Sequence, residues 1–230
     1  VGDYSQQELR VLAELSGDPI LVKAYHDEVD LHTLTASQMY GVPQDQVTKK
    51  MRRAAKDINF GLMYGRGAAS LAAQLEVSVD EAKKLLTRYF KTYKKVKRWL
   101  DQVARDAVKN GYSTTLGGRR RHHRPPDSSD PNYDRQVAHI ERQGKNTPIQ
   151  GSAADMIKYA LVYIYDRIRR EKLAAHIIST VHDEIVVEAR QDQAEQVKEI
   201  MNEEMVRAGK KLLKKVPIKA GIEISDIWEH

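Results

Sequence analysis

Cysteine is absent from this chain of 230 residues, and long apolar runs are absent as well. Without thiols the protein forms no disulfide and no thiolate metal site, so a bound metal must use oxygen or imidazole ligands. No run of eighteen apolar residues occurs, so we expect no membrane-spanning helix and no membrane partner. The sequence also shows no internal repeat and no low-complexity segment. These absences leave a globular chain that can bury a core as one large or two modest domains.

The charge of the chain is moderately positive and unevenly distributed. A net charge of +6 favours an acidic partner, although a modest excess also occurs in proteins that bind no polyanion. Three basic clusters lie at residues 49–56, 91–98 and 119–124. The second cluster is typical of a solvated helix face.

The segment at residues 52–65 carries the most informative chemical pattern. If it is helical, Arg52, Lys56, Phe60 and Tyr64 lie at intervals of four on one stripe, about 18 Å long. Two cations at one end and two aromatic rings at the other suit a nucleoside triphosphate. A helix dipole prefers cations near the C-terminus, so helix stability does not explain their early placement. On this segment alone, an amphipathic helix with solvated Arg and Lys is an equally good interpretation.

Caps, glycines and apolar periodicity predict mostly helices. Ser5 is predicted to cap a first helix that ends at Gly17, which places Asp3 at a strand-to-helix junction. Residues 125–131 read as a loop because prolines flank a run of Asp and Ser. Further helices are predicted over residues 49–65, 78–110, 150–171 and 192–213.

Short strands are predicted near the two ends of the chain. Residues 177–181 and 185–188 are rich in β-branched side chains and flank the acidic segment 182–184, which predicts a tight hairpin. Residues 218–224 alternate as a final strand. Because helices occupy the middle, we predict an α+β fold in which a helical insertion separates the halves of a small antiparallel sheet.

Three segments, at residues 3–10, 52–65 and 181–184, together resemble the signature motifs of the family A DNA polymerases, the bacterial DNA polymerase I type. They occur in the family's order. The similarity continues at residues 30–36, 115–121, 142–146, 148, 150–151 and 153–155, and so covers essentially the whole chain. Each motif alone is weakly specific, whereas the ordered set is specific to the family.

The resemblance implies a palm that carries the antiparallel sheet and a large helical fingers domain inserted into it. Residues 1–36 would form the first part of the palm, residues 37–134 the fingers, and residues 135–230 the second part of the palm. The activity implied is DNA-templated addition of deoxynucleotides to a primer 3′-hydroxyl. Two Mg²⁺ ions are the implied cofactors, and primer-template DNA and deoxynucleoside triphosphates are the implied partners.

The resemblance also assigns catalytic residues. Asp3 and Asp183 match the metal-binding aspartates, and oxygen ligands of this kind suit Mg²⁺. On local pattern alone they would be a helix cap and a turn residue. Lys56 is implied as the proton donor to the leaving pyrophosphate. Glu184 matches a residue that helps near the metals, and a solvated turn residue is an equally good interpretation.

Substrate contacts follow from the same resemblance. Glu8 corresponds to a steric gate against a 2′-hydroxyl, and Tyr64 to a residue beside the templating base. Surface or structural roles remain open for His32 and His182. The first and third basic clusters adjoin the motifs and are assigned to phosphate contact. The implied nucleotide-binding residues are Arg52, Lys56, Phe60, Tyr64, His32, Gln6 and Glu8. The implied nucleic-acid-binding residues are Arg142, Gln150, His182, Asn146, Arg119 and Arg120.

Several features depart from the family pattern. Gln7 replaces an aliphatic residue, Asp57 follows Lys56, and residues 143–145 replace a small apolar run. Because no counterpart of the thumb is present, we expect a second polypeptide or an upstream region to supply the thumb and the remaining palm. A rival hypothesis is a catalytically idle nucleic-acid-binding or assembly subunit, but such a subunit would need the cations and not the paired aspartates. The expected location is the cytoplasm or nucleoid, and an organellar matrix or viral origin is also compatible.

Overall fold

The computed structural model describes residues 1–228, and the architecture over these residues is α+β. Helices account for most of this part of the chain, and the strands are short. The helices are α1 (Gln7–Ser16), α2 (Pro19–His26), α3 (Leu31–Tyr40), α4 (Lys49–Met63), α5 (Ala68–Leu75), α6 (Val79–Thr92), α7 (Lys94–Asn110), α8 (Tyr133–Glu171) and α9 (Ala194–Leu212). The strands are β1 (Gly2–Tyr4), β2 (Tyr112–Thr114), β3 (Arg120–His122), β4 (Ala175–Val181), β5 (Glu184–Ala189) and β6 (Ala220–Ile222).

A four-stranded antiparallel sheet joins the two ends of the chain, in the order β4-β5-β1-β6. The first strand thus lies between two strands from the C-terminal part, so the helical middle of the chain separates the halves of one antiparallel sheet, as predicted. Asp3 is opposite Glu184 on one side and opposite Gly221 on the other. The predicted hairpin is formed by β4 and β5 with His182 and Asp183 at its turn. This confirms the fold class; the proposed domain boundaries remain predictions.

Strand β1 is held from one face by α9. A Cβ on Gly2 would lie 2.9 Å from side-chain atoms of Met201, Met205 and Ile222. The buried Tyr4 donates its hydroxyl hydrogen to the Met205 carbonyl at 2.7 Å. Since side chains alternate along a strand, Asp3 points to the opposite, exposed face. Packing of α9 therefore determines where Asp3 is presented.

The start of the first helix differs from the prediction. Ser5 does not cap α1, because its amide donates to the Lys219 carbonyl and extends the contact of β1 with β6. The N-cap is Gln6, which has a left-handed φ of 52° and no side-chain capping bond. Gly17 ends α1 with a φ of 55°, as expected.

Two other helix boundaries were predicted wrongly. The stretch expected to be continuous over residues 78–110 is two helices, which meet at the fully buried Tyr93. Just after this junction, the backbone amide of Lys95 donates a hydrogen bond to the side chain of Asp18, which is distant in the sequence. Helix α8 begins at Tyr133 rather than near residue 150, and it continues through Pro148. Gly144 allows this longer helix to pack closely on α7, because a Cβ there would lie 2.6 Å from Ala107.

Other predictions of local structure are confirmed, and one element was missed. Ser78 caps α6 through the Glu81 amide. Residues 125–131 contain neither helix nor strand. The hairpin of β2 and β3, which carries the third basic cluster, was not predicted from its polar sequence. The final strand is shorter than expected, with three residues. Within the described residues, no helix has the length and apolar character needed to cross a bilayer.

Candidate functional site

A cleft of about 680 Å³ opens between the end of the sheet and helix α4. The N-terminal part of α3, the start of α1, the middle of α8 and the β4–β5 turn complete its walls. Most of the site residues predicted from the sequence lie on this one surface. They are Asp3, Gln6, Glu8, His32, Arg52, Lys56, Phe60, Tyr64, Gln150, His182 and Asp183.

The acidic centre of the cleft is the pair Asp3 and Asp183. Asp3 comes from the central strand and Asp183 from the adjacent turn, and their carboxyl groups lie within hydrogen-bonding reach. Partial burial, followed by the negative charges of Asp183 and Glu184, raises the pKa of Asp3 to about 6. Two carboxylates that repel each other at an accessible position form a donor set for a hard divalent cation, because the cation would relieve that repulsion.

Glu184 follows Asp183 in the sequence and lies opposite Asp3 in the sheet, but its carboxylate forms a hydrogen bond elsewhere. The Glu184 Oε1 atom accepts a hydrogen bond from the Trp228 indole at 2.7 Å. Within residues 1–228, no group of three or more His, Asp or Glu side chains is arranged to hold a metal. The chain therefore offers two carboxylates, and substrate oxygens or water would complete the coordination of an ion.

Helix α4 presents the predicted stripe to the cleft. Thr48 caps its start by accepting from the Met51 amide. The opposite face, with Ala55 and Ile58, is fully buried in the core. The stripe is thus the cleft-facing side of an amphipathic helix whose opposite side packs on the core. Lys56 forms no ion pair with any residue in the described part of the chain, which leaves its ammonium group available to a ligand.

Arg52 is held at the edge of the cleft by Asp30. Its Nε and Nη2 atoms donate to the two carboxylate oxygens at 2.6 and 3.3 Å. Asp30 also accepts from Thr33 and from the His32 amide, and so caps α3. Partial burial opposes ionisation, but hydrogen bonds from Arg52, Thr33 and the His32 amide outweigh it and lower the pKa of Asp30 to about 2.

His32 is a buried residue rather than a surface one. Only 4% of it is exposed, and its Nδ1 atom is 3.2 Å from the Asn59 amide nitrogen. Burial lowers the pKa of His32; Asp30 opposes this effect, and the cations Arg52 and Lys56 add to it. The ring is therefore a neutral hydrogen-bonding group on the cleft wall.

Glu8, Tyr64 and Gln150 form a hydrogen-bonded group at the far end of the cleft. The Tyr64 hydroxyl donates to Glu8 Oε2 at 3.0 Å, and the Gln150 side chain bonds to both residues. Burial raises the pKa of Glu8, and these two hydrogen bonds oppose that rise. The carboxylate is thus fixed in position between α1, α4 and α8.

Two residues in the left-handed backbone region flank the acidic pair. Gln6 has a φ of 52° and His182 a φ of 55°. Neither is glycine, so each conformation costs about 1 kcal/mol or more. The Tyr25 hydroxyl donates to Gln6 at 3.1 Å and holds that side chain at the cleft. A sequence pattern does not reveal such residues, because glycine is the usual signal for this backbone region.

The remaining predicted nucleic-acid contacts lie outside the cleft. Arg119 pairs with the buried Asp155 and donates to the Gly151 carbonyl at 3.0 Å. The Arg120 guanidinium lies 4.6 Å from the centre of the Tyr112 ring. Arg142 packs beside Gly65, where a Cβ would lie 2.9 Å from its Cγ atom. Asn146 is half-buried on α8 and is not among the residues that line the cleft.

Gln7 has a structural role that the sequence comparison with the family pattern did not indicate. It is 3% exposed, and its Nε2 atom donates to the Ala153 carbonyl at 3.2 Å. The bond ties α1 to α8 directly behind the cleft. The side-chain NH₂ group of Gln7 therefore has a hydrogen-bond partner inside the core.

Comparisons with known proteins agree with this geometry. The profile of DNA polymerase family A matches residues 1–230. DNA polymerase I of Bacillus caldotenax is 39% identical over 226 residues, which cover 98% of this chain and 25% of that protein. The thermostable DNA polymerase I of Thermus aquaticus is 40% identical over 230 residues, which cover 98% of this chain and 26% of that protein. The chain thus spans about a quarter of the length of these relatives.

A solved structure shows the same fold at similar identity. It is the POL domain of Pol1 from M. smegmatis, in complex with a DNA primer-template and dNTP. Its TM-score with this chain is 0.87 at 39% sequence identity, and the match covers 96% of this chain and 38% of that chain.

Proposed function

The chain belongs to DNA polymerase family A, and on that premise we propose that it is the palm and fingers part of a DNA-templated DNA polymerase. It would add deoxynucleotides to a primer 3′-hydroxyl. The observation that carries this proposal is the cleft itself, in which the Asp3 and Asp183 carboxylates face the stripe of α4 across one space. An idle binding subunit would have no need for that carboxylate pair.

Asp3 and Asp183 are the residues that would hold two Mg²⁺ ions. Their oxygen donors, mutual repulsion and accessibility fit hard cations that keep several waters. When bound, the ions would neutralise phosphate charge and clamp the attacking and leaving oxygens. Glu184 has a supporting role at most, because its carboxylate also bonds to Trp228.

The side chains of α4 would position the incoming nucleotide. Lys56 would contact the triphosphate and donate a proton to the leaving pyrophosphate. Arg52 would reach the phosphates while Asp30 orients its guanidinium. Phe60 would pack on the sugar, and neutral His32 would donate a hydrogen bond to phosphate. Gln6, which lines the cleft beside Asp3, would also contact the nucleotide.

Glu8, Tyr64 and the nucleic-acid residues would select and hold the substrates. Glu8 would exclude a 2′-hydroxyl, and Tyr64 would lie beside the templating base. Primer-template DNA would contact Gln150 and His182 in the cleft, and Arg142, Asn146, Arg119 and Arg120 outside it. A second polypeptide or further segment would supply the thumb and remaining palm. The chain would act with DNA in the cytoplasm or nucleoid.

Primer extension with Mg²⁺ tests the proposed function. It is measured on the chain alone and with a polypeptide that carries the thumb and upstream palm of a family A polymerase. Asp183→Asn keeps the side-chain shape and removes one negative charge, so extension should fall by several orders of magnitude. Primer-template affinity should change little.

The matched control is Asp166→Asn, which alters an exposed aspartate on α8 away from the cleft. It should leave extension unchanged. If Asp183→Asn retains extension within tenfold of the parent, the assignment of the metal ligands is wrong.

A further inference from the structure

A line of buried polar side chains leads from the wall of the cleft into the core between α3 and α4. Asn59 of α4 is fully buried, and its Nδ2 atom lies 3.2 Å from His32 Nδ1 and 3.4 Å from Thr35 Oγ1. Thr35 Oγ1 is in turn 2.9 Å from the Tyr93 hydroxyl, and both of these residues are fully buried. Of these four residues, His32 is the one that lines the cleft.

The donors and acceptors along this line determine where His32 carries its proton. An asparagine NH₂ group only donates, so the Nδ1 atom of His32 must accept. A neutral imidazole that accepts at Nδ1 carries its proton on Nε2. Thr35 Oγ1 has two lone pairs, so it can accept the second amide proton whichever of Thr35 and Tyr93 donates in their own contact. The Asn59 amide is thus held from two sides.

The oxygen of the same amide shows that stability does not account for an asparagine at this position. Within residues 1–228, Asn59 Oδ1 is buried and has no hydrogen-bond partner, which is unfavourable for folding. Turning the amide over would leave the NH₂ group without acceptors instead, and it would require the His32 proton to be on Nδ1. What the asparagine provides here is an NH₂ group directed at His32.

The ring of His32 is suited to accept this hydrogen bond. Burial lowers the pKa of His32. The charge of Asp30 opposes this effect, and the charges of Arg52 and Lys56 add to it. The ring is therefore neutral at neutral pH and keeps a lone pair on Nδ1. Phe60 lies beside the ring, with the two centroids 6.0 Å apart. Because Nδ1 is bonded inside the core, Nε2 is the ring nitrogen left for a ligand in the cleft.

We propose that Asn59 is a positioning residue that holds His32 with its Nε2 proton available to the triphosphate of the incoming nucleotide. Asn59 is fully buried, so it would act through His32, by fixing both the tautomer and the rotation of the imidazole. Arg52 and Lys56 present charged donors in the same cleft, and Nε2 would add a neutral donor to them. The inference rests on the proposed contact of His32 with phosphate, whereas the tautomer itself does not.

The tautomer is tested first, without nucleotide, by ¹⁵N NMR of the imidazole nitrogens of the full chain. At about pH 8, where histidines are largely neutral, His32 should carry its proton on Nε2. A proton on Nδ1 in the parent would overturn the proposal, because Asn59 could not then donate to that atom. The signals of His32 are assigned by their loss in His32→Ala.

Two substitutions of Asn59 extend the NMR test. In Asn59→Ala nothing holds the proton on Nε2, so the shifts of the two ring nitrogens of His32 should move toward each other as the second tautomer becomes populated. Asn59→Asp keeps the size of the side chain and offers a carboxylate acceptor, so Nδ1 of His32 should become protonated. Ring signals that match the parent in both variants would show that Asn59 does not set the tautomer.

The second test is a double-mutant cycle on the affinity for dTTP with Mg²⁺, measured by isothermal titration calorimetry. Asn59→Ala should weaken binding about three- to tenfold in the parent, the size expected for one lost hydrogen bond. In the His32→Ala background it should change binding less than about twofold. The matched control, Asn202→Ala at an exposed position of α9, should bind as the parent does.

The outcomes of the cycle separate this proposal from the proposed function. If His32→Ala binds dTTP as the parent does, the contact of His32 with phosphate is wrong and the role of Asn59 fails with it. If His32→Ala binds more weakly but Asn59→Ala causes equal losses in both backgrounds, only the role of Asn59 is wrong. Primer-template affinity of Asn59→Ala should stay within about twofold of the parent; a parallel loss of affinity for DNA would indicate a general disturbance of the fold and contradict a specific role.

Discussion

At the scale of single residues, the site depends on charges that the fold places against each other. Asp3 and Asp183 lie within hydrogen-bonding reach, and burial with this repulsion raises the pKa of Asp3 to about 6. Asp30 shows the opposite case, because Arg52 and two further donors surround it and lower its pKa to about 2. Aspartate side chains would therefore hold a metal ion in one place, and in the other an aspartate fixes the guanidinium of Arg52.

The proposed selection of the sugar would depend on one residue, Glu8. Its carboxylate is fixed by Tyr64 and Gln150, so Glu8→Ala should open space at the 2′ position of a bound nucleotide. The ratio of kcat/KM for ribonucleotides to that for deoxynucleotides should then rise. Glu8→Gln keeps the volume and should preserve the ratio, since the exclusion is steric. An unchanged ratio in Glu8→Ala would refute the gate.

The pH dependence of the free energy of unfolding below pH 4 should show the contribution of the ion pair between Asp30 and Arg52. The folded pKa of Asp30, about 2, lies below its ordinary value of 3.8, so ionised Asp30 stabilises the fold above about pH 4. That contribution is lost as the pH falls toward about 2. Asp30→Asn should therefore lower the free energy of unfolding at neutral pH, by about 1 kcal/mol or less because the pair is partly solvated. Urea denaturation should show this difference shrinking below about pH 3; a constant difference would exclude the charge as its cause.

At the scale of elements, two helix contacts hold the site together. Helix α4 packs its apolar face on the core and leaves its charged and aromatic stripe to the cleft. Helix α8 carries Gln150, which lines the cleft, and Arg142, which packs beside Gly65 just after α4. The close contact of α8 with α7 at Gly144 lies between these two residues along the helix.

Gly144→Ala should disturb that contact. The new Cβ would lie 2.6 Å from Ala107 Cβ and 2.9 Å from the Val103 carbonyl oxygen, both on a fixed helix. Overpacking of this kind lowers the free energy of unfolding by about 1–3 kcal/mol. Gly221→Ala is the matched control, because its Cβ would meet no atom within 4 Å. The control should be neutral or slightly stabilising, since alanine is favoured over glycine in a strand; equal effects in the two variants would contradict the packing argument.

At the scale of the whole molecule, the sheet and its surroundings present apolar surface. Strands β4 and β6 are the edges of the four-stranded sheet. Ile178 on β4 is 57% exposed, and Ile224, Ile227 and Trp228 beyond β6 are also exposed. Unpaired edges with apolar side chains favour association with another polypeptide. This surface supports the proposal that a thumb and further palm segment complete the polymerase.

The salt dependence of DNA binding should show how much of the duplex the chain contacts. Log K falls with log salt at a slope of about −0.9 for each phosphate neutralised. Residues 1–230 by themselves should bind primer-template weakly, with a shallow slope and little processivity. A polypeptide that carries the thumb and upstream palm strands should steepen the slope and restore extension. Processive extension by the chain alone at moderate salt would show that its own basic clusters hold the duplex.

The sequence alone determined those features that depend on neighbours along the chain. The stripe of α4 follows from the spacing of four residues, the cap at Ser78 from the residues around it, and the acidic turn from two β-rich flanks. The pairing of Asp3 with Asp183 came from the family resemblance, because no local pattern links residues at opposite ends of the chain.

The tertiary structure decided what depends on contacts between elements. Packing of α8 on α7 carries a helix through Pro148, and the amide of Ser5 joins the sheet instead of leaving its side chain to cap α1. Asp30 binds Arg52, and Tyr64 of α4 reaches Glu8 of α1, only once separate helices meet. These hydrogen bonds require donors and acceptors within about 3 Å of each other, a condition that the packing of the core sets and that residue order does not record.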